Sequence, residues 1–342
     1  MRATPATEKG TISISFVEPV RRALQDRGLD AGAILEQAGL SLRLLPQAQA
    51  RVSPSVYARL MRLAAQALDD EFFGQDSRRM KVGSFAMLCR TVIHDRTLEE
   101  ALNRILSFFG LLLDDLHGTL SREGDIARIT LHPRDKVAIF AQETLLVFVH
   151  RLACWLINRR IAIRHATFCY PEPAHGGEYR LLFTHHLAFA QPLTALTFDA
   201  ATLDRPVVRD GIALNDFLRI APENLLVQYR DHNGQSARIR ARLRGLAPSD
   251  WPSFEVLART IHLSVPTLRR RLEAEGQSYR LIKDQLRRDL AITGLGTAGK
   301  SVTTIATELG FAEPSAFHRA FKKWTGVGPG EYRRSLAQGS DR

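Results

Sequence analysis

Residues 251–333 carry one pattern twice: a capped short helix, a tight turn, and a second helix with an apolar stripe on one side and cations on the other. In the first copy Ser253 stands ahead of FEVLARTI, where Val256, Leu257 and Ile261 are expected to face inward. A turn at His262-Leu-Ser follows. Ser264 then caps VPTLRRRLEAEG, with Pro266 in the first turn, where a missing N–H costs nothing. Leu268 and Leu272 lie four apart and can pack back onto the first helix, which leaves Val265, Pro266, Thr267, Arg269 and Arg270 on or near the opposite face. In the second copy Ser301 caps VTTIATEL, with Ile305, Ala306 and Leu309 inward and Gly310 in the turn. Small Ala306 lets the two helices cross closely. Pro314 opens SAFHRAFKKW, in which Phe317, Ala320, Phe321 and Trp324 form a core stripe. Ser315, Ala316, His318, Arg319 and Lys322 are left outward, and Gly326 suits the helix end. A short helix, a tight turn and a second helix with outward arginines is the layout that enters a DNA major groove.

Charge points the same way. The chain of 342 residues has a formal net charge of +11. From Gln235 to Arg342 there are 19 Lys and Arg against 10 Asp and Glu, while the first 234 residues hold the remaining 28 basic and 26 acidic groups. A compact basic segment is what a phosphate-tracking surface needs, because each neutralised phosphate releases condensed counterions. From charge alone, a solvated basic face without a partner is equally compatible.

The preceding residues are long enough for a second domain. The first ten read as disordered. Amphipathic helices are expected at 17–27, 31–38 and 53–68, the last capped by Ser53 with Pro54 in its first turn. Another starts at Thr97, with Glu100 at the capping-box position, and a long apolar helix covers 138–160. Strands are expected within 119–132, joined at Glu123-Gly-Asp, and at 166–171 and 195–199. Helices segregated from short strands indicate an α+β N-terminal regulatory domain, followed by an all-α DNA-binding domain with two helix-turn-helix units. The expected boundaries are 12–205 for sensing and dimerisation, 206–247 for a connector and 248–337 for DNA binding. Within the connector, arginines at 238, 240, 242 and 244 alternate as in a strand, yet Ile239, Leu243 and Leu246 share a helical face; a helix is preferred because an all-arginine strand face has little to pack on.

Gly310 to Arg333, GFAEPSAFHRAFKKWTGVGPGEYR, resembles the signature of the AraC/XylS family of bacterial transcriptional regulators. Gly310, Phe311, Ser315, Phe317, Arg319, Phe321, Lys322, Gly326, Pro329, Tyr332 and Arg333 match its fixed positions. The first unit matches through Leu257-Ala258, Ser264, Leu268, Arg270, Leu272 and Gly276, and Leu286-Arg-Arg-Asp-Leu-Ala stands where that family has its linking helix. One departure is GLGTAGK at 294–300, where glycines weaken a helix by about 1 kcal/mol each, so a looser hold on the second unit is expected. The resemblance implies two recognition helices entering successive major grooves on one face of the duplex, about one turn or 34 Å apart. By matching position it places Pro266, Thr267, Arg269 and Arg270 in one groove and Ser315, Ala316, His318 and Arg319 in the other, with Lys322 beside them. Arg269 and His318 are expected at bases, Arg270 and Arg319 at phosphates or in the scaffold.

The N-terminal region resembles the arabinose-binding-type regulatory domain of ornithine-utilisation-regulator-like proteins. Matching residues include Arg27-Gly-Leu-Asp, Ile34-Leu35, Ala38-Gly-Leu, Arg51-Val52, Tyr57, Leu60, Gly83, Phe85, Thr97-Leu-Glu-Glu-Ala, Pro171, Tyr179 and Leu203-Asp-Arg-Pro. This resemblance implies effector sensing and self-association. Arg90, His94, Arg164 and His165 sit near apolar stretches and are the candidates to receive a carboxylate; the residues that bind an effector stay unassigned. His175, His185 and His186 lack a completing carboxylate or cysteine, so neither a metal nor another cofactor is expected.

The expected function is a sequence-specific transcriptional regulator, an activator responding to a small-molecule effector. Its expected partners are double-stranded promoter DNA, RNA polymerase, the effector and a second copy as a homodimer. The alternative is a constitutive DNA-binding regulator whose N-terminal domain only dimerises. An enzyme fused to a DNA-binding tail is disfavoured by the absence of G-x-S-x-G, P-loop and G-x-G-x-x-G motifs. Adjacent Asp114 and Asp115 point to different sides and cannot work as a pair. Cys89, Cys154 and Cys169 are widely spaced and read as reduced, buried thiols. With no export signal at the N-terminus and no expected membrane span, the setting reads as cytoplasmic, at the nucleoid.

Overall fold

The computed structural model describes residues 11–47, 50–134, 137–184, 186–226, 235–274, 277–296, 299–325 and 327–337. In chain order the first elements are β1 (Ile12–Ser13), α1 (Val17–Asp26), α2 (Ala31–Gln37), β2 (Arg51–Val52), α3 (Pro54–Leu68), α4 (Ser84–Val92) and α5 (Leu98–Leu112). Next come β3 (Leu116–Glu123), β4 (Ile126–Pro133), α6 (Ile139–Leu156), β5 (Ile163–Thr167), α7 (Tyr179–Leu182), β6 (Leu187–Ala188) and β7 (Thr194–Asp199). The remainder is helical: α8 (Gly211–Ile220), α9 (Glu223–Leu226), α10 (Gln235–Arg244), α11 (Phe254–Thr260), α12 (Val265–Ala274), α13 (Tyr279–Gly296), α14 (Val302–Glu308), α15 (Pro314–Thr325) and α16 (Pro329–Ala337). The chain divides into two compact units. One gathers Ser15–Ala38 and the chain from Pro54 through α9; the other gathers residues 11–14, Gly39–Ser53 and the chain from α10 onward.

The first unit is α+β. Its five-stranded sheet has the order β3-β4-β7-β5-β6, antiparallel except for the β5–β6 pair. The Glu123-Gly-Asp turn joins β3 to β4, and Gly124 adopts φ +58, a conformation that favours glycine. β5 starts and ends earlier than its sequence suggested, so Phe168 and Tyr170 are buried beyond the strand end instead of within it. Thr97 caps α5 by accepting from the Glu100 amide, while the Glu100 carboxylate reaches one residue further back, to the Arg96 N–H at 3.0 Å. α6 is long and apolar enough to cross a membrane, but 89% of its residues are buried inside the protein, the pattern of a core helix.

Acidic side chains in the loop after α3 are spent on backbone amides. Asp70 accepts from Phe72, Gly74 and Met80, and Asp76 accepts from Arg78, Asp114 and Asp115. Asp115 in turn accepts from Ser77. These carboxylates order the loop whose Phe72, Phe73 and Met80 are buried in the core. Cys89 and Cys154 are free and buried; Cys169 is free but only half-buried.

The second unit has two apolar cores that share one helix. Ile239 and Leu243 of α10 pack with Leu257, Ala258, Leu268, Leu272, Tyr279, Ile282 and Leu286. The 236–246 segment is therefore helical through Arg244, as the Ile239/Leu243 face demands, and belongs to the core of the first helix-turn-helix, whereas Leu246, expected on the same face, lies beyond the helix end and is exposed. The other core joins Ala291, Ile292 and Leu295 to Ile305, Ala306, Leu309, Phe317, Phe321, Val327 and Tyr332. The first half of α13 thus serves one core and its second half serves the other. An early segment also belongs to this unit: β1 pairs with β2, and the Tyr332 hydroxyl on α16 donates to the Arg51 carbonyl at 3.3 Å.

Candidate nucleic-acid interface

The first helix pair is built as its caps dictate. The Ser253 side chain accepts from the Val256 amide, and Ser264 Oγ accepts from the Thr267 amide at 3.3 Å. Between them His262 takes φ +54, and Leu263 N–H closes back on the Ala258 carbonyl at 3.0 Å. Leu268 and Leu272 are buried against Leu257 and Ala258, so α12 is fixed by its inner face. Its outer face presents Pro266, Arg269 and Arg270 to solvent, with Thr267 half-buried because its hydroxyl meets Ser264 at 2.8 Å. Arg271 is exposed as well, an addition that the sequence pattern did not single out. One inward assignment is corrected. Val256 is 42% exposed, and the inner face of α11 is instead Leu257 and Ala258, with Ile261 packed at its edge.

The second pair repeats the arrangement. Ser301 accepts from the Thr304 amide at 2.9 Å, and Gly310 turns the chain at φ +76. A Cβ on Gly310 would lie only 3.2–3.3 Å from the backbone of Pro248 and Ser249, so both the conformation and the close approach require glycine here. Phe317 and Phe321 are fully buried, with Trp324 half-buried beside Phe311. Outward on α15 stand Ser315, His318, Arg319 and Lys322, joined by Lys323, while Ala316 is half-buried. Ser315 Oγ donates to Glu313 Oε2 at 3.1 Å. Gly326, expected to end this helix, lies outside the described residues, as does Gly276.

What ties the two pairs together was less visible in the sequence. Arg287, in the middle of α13, lays its guanidinium over the Trp251 ring at 5.3 Å and the Phe311 ring at 5.6 Å. Its Nε also donates to the Leu309 carbonyl at 3.2 Å. One cation thereby contacts a residue of each helix pair. Arg240 of α10 is only 1% exposed and donates to Gln277, just ahead of α13, and to Gln285 in its middle. Of the glycines expected to loosen this region, Gly294 and Gly296 lie within α13 itself. α13 continues through Gly294, and a Cβ there would meet Ile305 at 3.3 Å, so the missing side chain permits close packing of α13 on α14.

In the first unit the carboxylate-receiving candidates are not assembled into a site. Arg90, His94 and His165 are exposed, and Arg164 is paired with Asp125 at 2.8 Å and Asp199 at 3.3 Å. His175 is bonded to Glu143 and His185 lies outside the described residues; among those described, no three metal-ligating side chains cluster.

Comparison with known proteins bears on both units. Residues 28–207 match the family model of the arabinose-binding domain of AraC transcription regulator, N-terminal, and residues 257–335 match a helix-turn-helix domain. The ornithine utilization regulator of Pseudomonas aeruginosa is 28% identical over 338 residues, covering 95% of this chain and 96% of that protein. The HTH-type transcriptional regulator VqsM of the same species is 38% identical over 170 residues, covering 48% of this chain and 52% of its own length. Among solved structures, the transcriptional regulator CdpR from Pseudomonas aeruginosa aligns over 93% of this chain and 97% of its own, with 21% identity and a TM-score of 0.29.

Proposed function

The chain belongs to the AraC family of transcription regulators and is a DNA-binding regulator, and from that premise we propose that α12 and α15 read its operator, with the chain acting as a homodimeric activator under a small-molecule effector. The observation that carries the DNA-reading part is the two-sidedness of both helices. Leu268 and Leu272 of α12, and Phe317 and Phe321 of α15, are locked into cores that share α13, while Arg269, Arg270, His318, Arg319 and Lys322 stay in solvent. Helices held from behind and cationic in front can enter a groove without rearranging.

In this reading Arg269 and His318 contact base edges. Pro266, Thr267, Ser315 and Ala316 set the fit near each helix start. Arg270, Arg319 and Lys322 engage phosphates, with Arg271 and Lys323 extending that surface. The DNA-reading part starts with α10, since Ile239 and Leu243 complete its first core. Sensing and self-association fall to the preceding α+β unit, a division supported by the regulatory-domain match. RNA polymerase contact and a place at the cytoplasmic nucleoid follow from the activator role, and no catalytic step is required.

The test is base discrimination. With an operator selected from random DNA, Arg269→Ala is expected to weaken operator binding by about 1–3 kcal/mol while leaving affinity for unrelated DNA unchanged. Gel-shift titrations measure both. Equal loss on the two DNAs removes Arg269 from base reading.

A further inference from the structure

The apolar helix α6 carries two opposite charges inside the protein, Glu143 and Arg151, each 2% exposed. Glu143 Oε1 accepts from the Tyr179 hydroxyl and lies 2.8 Å from His175 Nε2. The Tyr170 hydroxyl is 3.2 Å from that of Tyr179. Glu143 Oε2, by contrast, is buried with no hydrogen-bond partner. Arg151 Nη2 donates to the Leu182 carbonyl at 3.0 Å, whereas its Nε and Nη1 are buried without partners. Among the described residues no carboxylate lies within ion-pairing distance of Arg151.

Buried polar atoms are nearly always bonded, and a buried charge without its complement is costly. Here the unsatisfied atoms are one acceptor and two donors, on opposite charges, along one side of one helix. Residues eight apart are displaced by about 12 Å along a helix and about 80° around it, so they share a face. The single-turn α7 spans both: Tyr179 reaches Glu143 while Leu182 reaches Arg151. Aromatic rings fill the same segment. Phe168 meets Tyr179 edge-on at 4.7 Å and stands 5.7 Å from Phe183. Burial, and then the Glu143 charge, push the Tyr57 and Tyr179 hydroxyls well above their ordinary range, so these rings stay neutral beside the carboxylate.

We propose that this face of α6 is the effector site, and that its ligand is an aliphatic molecule with an ammonium at one end and a carboxylate at the other. Glu143 Oε2 takes the ammonium among the Tyr170 and Tyr179 rings, whose faces attract cations. Arg151 takes the carboxylate through its unpartnered Nη1, as a charge-assisted hydrogen bond. The placement of the charges on successive parts of α6 selects a chain of several carbons between them. This inference rests on the reading that the first unit senses a small molecule.

Calorimetric titration and thermal shift of the full chain provide the test, with 5-aminopentanoate, 6-aminohexanoate and L-lysine as two-charge probes and pentylamine and pentanoate as one-charge controls. At least one two-charge probe is expected to bind tenfold or more tightly than either control. Glu143→Gln should remove the advantage over pentanoate, and Arg151→Met the advantage over pentylamine. Two-charge probes no better than the controls overturn the proposal, and this comparison needs only the unaltered chain should a variant fail to fold. A parallel screen of sugars, fatty acids and nucleosides separates the two readings. A ligand found there whose binding survives both substitutions overturns this site but keeps effector sensing; silence in every class overturns both.

Discussion

Phe317→Ala is expected to lower the stability of the second helix-turn-helix by about 3–5 kcal/mol, the usual cost of emptying a packed aromatic site. The side chain is fully buried, with its ring 5.5 Å from Phe311 and 5.6 Å from Phe321. Phe321 continues the chain of contacts to Tyr332 at 5.4 Å, so the vacated space adjoins rings held from α16 and cannot collapse freely. Against a domain stability of about 5–15 kcal/mol, such a loss leaves α15 poorly held and specific DNA binding lost at physiological temperature. The next residue provides the contrast. His318 is exposed, and His318→Ala is expected to change stability by less than about 0.5 kcal/mol while altering operator affinity. Urea unfolding of both variants checks the pair; a Phe317→Ala loss below about 1 kcal/mol would show that this stripe is not core.

Operator affinity is expected to fall by about a thousandfold or more between 50 and 200 mM salt, the drop that accompanies six or more phosphate contacts. The basis is the C-terminal surplus of 19 basic over 10 acidic residues, with Arg270, Arg271, Arg319, Lys322 and Lys323 all exposed on or beside the outer faces of α12 and α15 in each copy of the proposed dimer. Cations paired within the protein release few counterions, so the slope reports side chains that are free to meet DNA. Fluorescence anisotropy with a labelled operator across that range measures it. A flat profile would contradict a phosphate-tracking surface.

The helix pairs were legible in sequence because three local signals coincide in each: a serine cap, an apolar stripe at helical spacing, and a turn. That reasoning fails where the answer depends on a third element. Val256 looked inward by its apolar character, yet α12 and α10 cover the side bearing Leu257 and Ala258. Gly294 read as a weakness because a helix taken alone loses stability there; the approach of Ile305, which makes glycine useful, comes from a different helix. Arg287 read as one more cation in a family motif, and only the fold shows it over Trp251 and Phe311. Glu143 and Arg151 were absorbed into an apolar run, since periodicity reports which face is buried and not which buried group lacks a partner. In the first unit the strongly patterned helices α1, α3, α5 and α6 matched their expectation, while the sequence pattern did not single out α4 and α8, and β5 is displaced; the sheet order β3-β4-β7-β5-β6 depends on long-range pairing that no local pattern encodes.

Hydroxyl-radical footprinting of the full chain on a selected operator tests the central claim most directly. With α12 and α15 in adjacent major grooves, each copy of the chain should protect two patches on one face of the duplex, centred about one helical turn, or 10 base pairs, apart. A single patch per copy, or two patches on opposite faces, would contradict the reading of α12 and α15 as paired recognition helices.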